Sequence, residues 1–161
     1  MEGFVHTSMG IVHLIMALLA TVSGTMVIAM RKGGRAHKRI GYVYVANMVG
    51  LNITALLIYD LFGYFGIFHY GAIFSLLTVL AGIVPAIRRR NKHWVVRHYS
   101  FMYWSLIGLY AAFASETLVR VPNSPFFGMV GLATAIIMLL GALAFVRLRK
   151  RWAGQFYRQA S

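Results

Sequence analysis

The chain has 161 residues, of which 60% are hydrophobic and 12% are charged, and its formal net charge is +13. Soluble domains carry about 25% charged residues, so this composition indicates a membrane protein. Cysteine is absent, which excludes disulfides, thiolate nucleophiles and Cys-ligated zinc or iron–sulfur sites.

Five long apolar runs follow one another along the chain. They cover residues 4–30, 40–65, 70–87, 96–119 and 125–146. At about 1.5 Å per helical residue, each run is long enough to cross a hydrocarbon layer of about 30 Å. The sequence therefore predicts an all-α fold, a polytopic membrane helix bundle with five transmembrane helices. The whole chain, 1–161, forms one domain in this prediction, and 147–161 form a basic interfacial tail.

Basic residues mark one side of the predicted bundle. All Lys and Arg except Arg120 fall in three stretches, at 31–39, 88–97 and 147–158, which alternate with the apolar runs. Cytoplasmic loops of membrane proteins are enriched in Lys and Arg. The sequence therefore predicts a multi-pass protein of the plasma membrane with an extracytoplasmic N-terminus and a cytoplasmic C-terminus.

The same charge pattern indicates which partners the protein binds. Clustered Lys and Arg at helix ends attract anionic lipids at the cytoplasmic face, which we expect to be the main partner of the basic stretches. No RNA- or DNA-binding motif accompanies the charge, so nucleic acid is not expected. A homo-oligomer or a larger membrane complex is compatible with the sequence.

The first apolar run carries one seam of polar and small side chains. His6, Gly10, His13, Ala17, Ala20 and Gly24 recur at spacings of three and four, so they share a helix face that is predicted to face the bundle. An ionisable residue within the membrane, such as His13, is by default a candidate functional residue, because burial of a charge in lipid is costly. The alternative is that His13 hydrogen-bonds to a neighbouring helix as a packing contact.

A first candidate site lies near the predicted outer surface. Asp60 and His69 flank the short turn between the second and third runs, and Glu116 lies near the end of the fourth. Imidazole and carboxylate groups are common ligands of iron and zinc. The sequence therefore predicts His13, Asp60, His69 and Glu116 as metal ligands, with His13 and His69 as an alternative haem pair.

A second candidate site lies at the cytoplasmic surface. His37 and His98 occupy the first turns of the second and fourth helices, at matching depth. Two imidazoles from facing helices are the axial ligands that a haem requires, so this pair predicts binding of haem b or of a metal ion. The familiar two-haem membrane cytochromes place paired histidines within single helices, and no helix of this chain contains such a pair.

Short motifs surround these residues. The turn Arg31-Lys32-Gly33-Gly34-Arg35 precedes His37-Lys38-Arg39-Ile40-Gly41-Tyr42-Val43-Tyr44, and His98 is followed by Met102, Ser105, Tyr110, Ala111, Ala112, Phe113 and Glu116. Over most of its length the chain resembles bacterial predicted membrane-protein families of unknown function, which carry His-x-x-x-Gly-x-x-Tyr after the first helix. The resemblance implies a small helical bundle in the plasma membrane and a site among these His, Gly, Tyr and Glu positions. It implies no activity.

Three classes of function are compatible with these patterns. The leading one is a redox or metal-linked role of a membrane protein that binds haem, iron or zinc through intramembrane His and carboxylate groups. The alternative is a noncatalytic channel, carrier or assembly partner of a membrane complex, whose polar seams serve ion passage or helix docking. The third is an intramembrane metal-dependent hydrolase, in which His13, Asp60 and His69 would hold a metal with an open position for water.

Overall fold

The computed structural model describes residues 8–59, 63–90, 92–118 and 125–160, with side chains described as far as Trp152. Within these ranges the chain forms five helices: α1 Ser8–Ala29, α2 Arg35–Leu57, α3 Ile67–Arg88, α4 Trp94–Leu118 and α5 Phe126–Ala160. The predicted all-α fold of five helices is confirmed. The basic tail continues α5 as helix rather than forming a separate element.

Four helices are long and apolar enough to cross a membrane, namely α1, α2, α3 and the segment Phe126–Trp152 of α5. The remaining helix, α4, has 25 residues but carries His, Tyr, Ser and Glu along its length. It packs against α1, α3 and α5. Its polar side chains are tolerated because neighbouring helices, rather than lipid, surround much of its surface.

The first four helices form a closed ring. Consecutive helices pack side by side, and α1 also packs against α4, while α5 lies outside the ring against α4. Consequently α2 and α4 face each other diagonally across the centre. The core between them is apolar and includes Ala17, Ala20, Tyr44, Met48, Leu51, Val79, Leu106 and Leu109.

The seam predicted on the first helix is the face that α1 buries in the bundle. Its members Gly10, His13, Ala17, Ala20 and Gly24 are all buried. Small residues at these positions allow neighbouring helices to approach closely, which in lipid is a principal source of helix association. The seam is therefore confirmed for all members except His6, which lies outside the described residues.

Pro85 lies near the C-terminal end of the third apolar run, where its missing backbone N–H predicts a kink or the end of the helix. The helix ends three residues later, at Arg88. The next residue, Arg89, adopts a left-handed conformation with φ 47°, and its N–H donates to the Pro85 carbonyl at 2.9 Å. Proline disfavours continuation of the helix, and this terminal bond satisfies a carbonyl that the helix leaves open.

All three basic stretches lie at the end of the bundle where α1 and α3 finish and α2 and α4 begin. We call this the basic end. Trp152 in the basic part of α5 packs there against Tyr99 of α4, with ring centroids 5.7 Å apart. The orientation of this end towards the cytoplasm stays a prediction from the charge pattern.

Candidate functional site

A cavity of about 500 Å³ opens at the basic end between α2 and α4. Every helix contributes to its wall, including Ile28 of α1, His37 of α2, Ile83 of α3, His98 of α4 and Trp152 of α5. Most of the lining is aliphatic or aromatic, with the two histidines among a few polar groups. An apolar cavity with a small number of convergent polar side chains is the usual form of a ligand or cofactor site.

The predicted pair His37 and His98 meets in this cavity. The centroids of the two imidazole rings lie 6.3 Å apart, and their planes are almost perpendicular, at 88°. The two side chains that the sequence predicts as a pair are therefore neighbours in the structure, and their role as ligands stays a prediction. Because α2 and α4 are diagonal partners, the space between the rings belongs to the interior of the four-helix ring.

A backbone contact holds the ring of His98. Its Nδ1 lies 2.9 Å from the carbonyl oxygen of Gly82 on α3. A carbonyl only accepts hydrogen bonds, so Nδ1 carries the proton and Nε2 of the neutral ring keeps its lone pair. A Cβ atom on Gly82 would lie 2.7 Å from Sδ of Met102. Glycine therefore permits the close approach of α3 and α4 that brings this carbonyl to His98.

The ring of His37 has a different environment. Its Nδ1 is buried and has no hydrogen-bond partner among the described residues. Buried polar atoms are nearly always paired, and an unpaired one costs about 1–3 kcal/mol. The described part of the fold thus leaves one buried imidazole nitrogen of His37 unpaired, on a side chain that lines the cavity.

A buried lysine closes one side of the cavity. Lys32 is only 6% exposed. Its Nζ donates to the carbonyl oxygens of Val27 and Ile28 at the end of α1, at 2.6 Å each. The same ammonium lies 5.1 Å from the ring centroid of Trp152. Burial lowers the pKa of Lys32 to about 8, because desolvation disfavours the charged form.

His13 lies in the opposite half of the bundle and joins α1 to α2. Its Nδ1 is 2.9 Å from Oγ1 of Thr54, whose hydroxyl is 2.8 Å from the Leu51 carbonyl. The hydroxyl has one proton, which the carbonyl accepts, so the imidazole N–H donates to Thr54. His13 makes the interhelical contact that the packing alternative predicts.

His69 caps the start of α3. Its Nδ1 accepts a hydrogen bond from the Gly66 N–H at 3.1 Å, and its ring lies 4.6 Å from both the Tyr59 and the Phe65 rings. With Nδ1 accepting, a neutral ring carries its proton on Nε2. That Nε2 is buried and, like Nδ1 of His37, has no hydrogen-bond partner among the described residues. The role of His69 as a ligand stays a prediction.

The outer metal site does not assemble from the residues that the structure describes. No three of their His, Asp or Glu side chains lie close enough together to hold a metal ion. His13 and His69 have the contacts given above, and Glu116 lies in the last turn of α4. Asp60, the remaining predicted ligand, lies outside the described residues.

Several cavity residues were not predicted as site residues. Lys32 and Arg89 were assigned to the basic stretches, and Trp152 to an interfacial tail. Their part in the cavity depends on contacts between helices that are distant in sequence. The one local signal is Lys32, which lies just beyond α1, where a cation can bind the last carbonyls of a helix.

Comparison with known proteins identifies the family. The chain belongs to the family described as "Predicted membrane protein (DUF2306)", which it matches over residues 10–153. The resemblance to bacterial membrane-protein families of unknown function is thereby confirmed. No curated protein and no solved structure was found to match. The matched range includes both cavity histidines and all five helices in whole or in part.

Proposed function

We propose that this multi-pass membrane protein binds one haem b in the cavity at the basic end, with His37 and His98 as the two axial ligands, and that it transfers electrons. The 6.3 Å separation of the two imidazole centroids is the observation that carries this function. Imidazole nitrogens lie about 2 Å from a bound metal, so two rings on opposite sides of one ion have centres roughly 6 Å apart.

The surroundings of the two rings favour metal ligation over a purely structural contact. Ligating histidines almost always donate their second ring N–H to a carbonyl or carboxylate, as His98 does to Gly82. His37 lines the same cavity, and its buried Nδ1 has no hydrogen-bond partner among the described residues.

The cavity suits a flat organic group better than a bare metal ion. Its volume of about 500 Å³ and its aromatic and aliphatic lining match a large apolar ligand. A bare ion would need a third protein ligand or more, and no group of three His, Asp or Glu occurs in the described part of the chain. A haem needs only the two axial nitrogens, because the porphyrin supplies the other four.

Ligation by two histidines also favours one class of activity. With both axial positions filled by protein, the iron has no open position for oxygen or substrate. Electron transfer requires no such position, whereas oxygen activation and hydrolysis do. We therefore place electron transfer before the other classes.

The decisive experiment is visible spectroscopy of the detergent-purified protein after titration with haemin. We expect a Soret band that shifts on addition of haemin and α and β bands that sharpen on dithionite reduction, at one haem per chain. His37→Ala and His98→Ala should each abolish the six-coordinate low-spin spectrum. His93→Ala is the matched control, because His93 lies in the connection that precedes α4 and does not line the cavity.

Four other outcomes would count against haem binding or against its proposed ligands. A wild-type spectrum that haemin leaves unchanged would refute the function outright. Retention of the low-spin spectrum by the His37→Ala/His98→Ala double variant would show that other groups bind the iron. A protein that binds no haem but holds zinc or iron by elemental analysis would favour the bare-metal class, and one that holds neither would favour the channel, carrier or assembly class.

A further inference from the structure

The residue after α3 has an unusual backbone conformation. Arg89 is the one non-glycine residue in the described ranges with positive φ, at 47°. The position after a helix that adopts the left-handed conformation is usually glycine, since a side chain there is disfavoured. Strained residues of this kind are concentrated at ligand clamps and active sites. A function of the Arg89 side chain would explain why this position is not glycine.

The Arg89 side chain is held at the rim of the cavity. Its Nε donates to the Ala86 carbonyl at 3.2 Å, and its guanidinium lies 5.2 Å from the ring centroid of Trp94. Both Arg89 and Trp94 line the cavity. The two terminal nitrogens of the guanidinium have no hydrogen-bond partner in the described part of the chain, so the fork that binds carboxylates and phosphates is available.

The rim carries positive charge that its own side chains do not balance. Lys32, Lys38 and Arg89 line the cavity together with the two histidines, and no Asp or Glu of the described residues lines it. Lys32 already binds two carbonyls and faces Trp152. Arg89 is thus the rim cation whose fork is oriented by an aromatic ring and by a backbone carbonyl.

We infer that Arg89 binds a carboxylate of the ligand in the cavity, so that the site selects flat apolar molecules that bear an acidic group at one edge. This inference rests on the proposed function, because haem b has two propionates on one edge of its ring. The phosphate of an anionic lipid headgroup offers the same oxygen chemistry. The two sources are separated by the experiment below.

The test compares haemin with haemin dimethyl ester, which has the same ring and iron but no carboxylates. Both are titrated into wild-type protein and Arg89→Gln in uncharged detergent. We expect wild-type protein to bind haemin about fivefold to tenfold more tightly than the ester, as one charge-assisted hydrogen-bond pair at a partly exposed site allows. Arg89→Gln should lower haemin affinity to that of the ester and leave the ester affinity unchanged. Arg88→Gln, at an exposed neighbour that does not line the cavity, should change neither.

A second variant separates ligand binding from a structural role. Arg89→Gly removes the guanidinium but relieves the left-handed strain, so it should lower haemin affinity as Arg89→Gln does while the melting temperature of the ligand-free protein rises. A fall in that melting temperature together with loss of both ligands would show that Arg89 supports the fold, and would overturn the inference.

The remaining outcomes distinguish failure of this inference from failure of the proposed function. Equal binding of haemin and its ester by wild-type protein would overturn the role of Arg89 and leave haem binding intact. A preference for haemin that survives in Arg89→Gln would assign the carboxylate to another cation. Loss of the preference in vesicles of phosphatidylcholine with phosphatidylglycerol, but not of zwitterionic phosphatidylcholine alone, would assign Arg89 to an anionic lipid headgroup instead. Binding of neither ligand would overturn the proposed function itself.

Discussion

Substitution of Gly24 by Ala should destabilise the bundle, because α1 approaches α2 and α4 closely at this glycine. A Cβ atom there would lie 2.7 Å from Cδ1 of Leu106 and 2.8 Å from Cε2 of Tyr44. Carbon atoms in contact are normally about 3.5–4.0 Å apart, so both side chains would have to move by most of an ångström. Tyr44 and Leu106 are each only 2% exposed, and both line the cavity at the basic end, so the clash would press on its wall.

The Tyr44 ring is also fixed at its far end. Its hydroxyl lies 2.7 Å from Oγ of Ser105, and the Ser105 hydroxyl donates to the Met102 carbonyl at 2.8 Å. Tyr44 is therefore the donor in the first bond, and displacement of its ring would break that bond. Overpacking of a closed core costs about 1–3 kcal/mol. Alanine recovers up to about 1 kcal/mol of helix propensity, so we expect a net loss of roughly 1–2 kcal/mol.

The assay is SDS-induced unfolding from mild detergent, followed by circular dichroism. Gly108→Ala is the matched control, because Gly108 lies in the middle of α4 and a Cβ there would meet no atom within 4 Å. The helix-propensity gain is common to both variants, so their difference in unfolding free energy isolates the packing cost of about 1–3 kcal/mol. In a Leu106→Ala background the cost of Gly24→Ala should fall, since one of the two clashing groups is gone. Equal stability of Gly24→Ala and Gly108→Ala would refute the close packing inferred at this position.

Further variants test contacts at both ends of the bundle. Because the pKa of Lys32 in the folded protein, about 8, lies below the usual 10.5, the unfolded chain binds more protons between these pH values. The melting temperature of wild-type protein should therefore rise from pH 8 to 10.5, and the part of this rise that Lys32 causes should be absent in Lys32→Met. Parallel pH profiles of the two melting temperatures would contradict the role of Lys32. Tyr103→Phe removes the hydroxyl that donates to the Gly141 carbonyl at 2.7 Å. It should lower the free energy of SDS unfolding by about 0.6–1.7 kcal/mol. An unchanged unfolding free energy would show that this bond between α4 and α5 contributes nothing. His13→Ala removes the bond to Thr54 and should lower the free energy of unfolding by about 1–3 kcal/mol while haem content stays unchanged. Loss of haem from this variant would indicate that His13 is a haem ligand.

Much of the fold was predictable from local sequence, because the signals that define membrane helices are local. Apolar runs gave the number and approximate bounds of the helices, and Pro85 marked the end of α3 to within a few residues. The spacing of small residues on α1 identified its buried face. Each of these follows from the chemistry of one segment against lipid, without knowledge of the other segments.

The candidate site was predicted only in part. His37 and His98, which the sequence places near the starts of two helices, lie together in the structure, and their role as ligands stays a prediction. The outer cluster was predicted from residue types near the outer surface, and Asp60, one of its members, lies outside the described residues. His13 bonds to Thr54 and His69 to the Gly66 backbone, and the pattern of ionisable residues contains no information about such competing local partners.

Sequence alone determined the membrane class, the five helices, the predicted orientation of the basic end and the depth of the cavity histidines. Only the tertiary structure decided that α2 and α4 are diagonal partners, that the Gly82 carbonyl orients His98, and that Lys32, Arg89 and Trp152 surround the cavity. The reason is physical: burial of apolar segments in lipid is favourable for each helix on its own, whereas the choice of neighbouring helices depends on close packing and hydrogen bonds between side chains far apart in the chain.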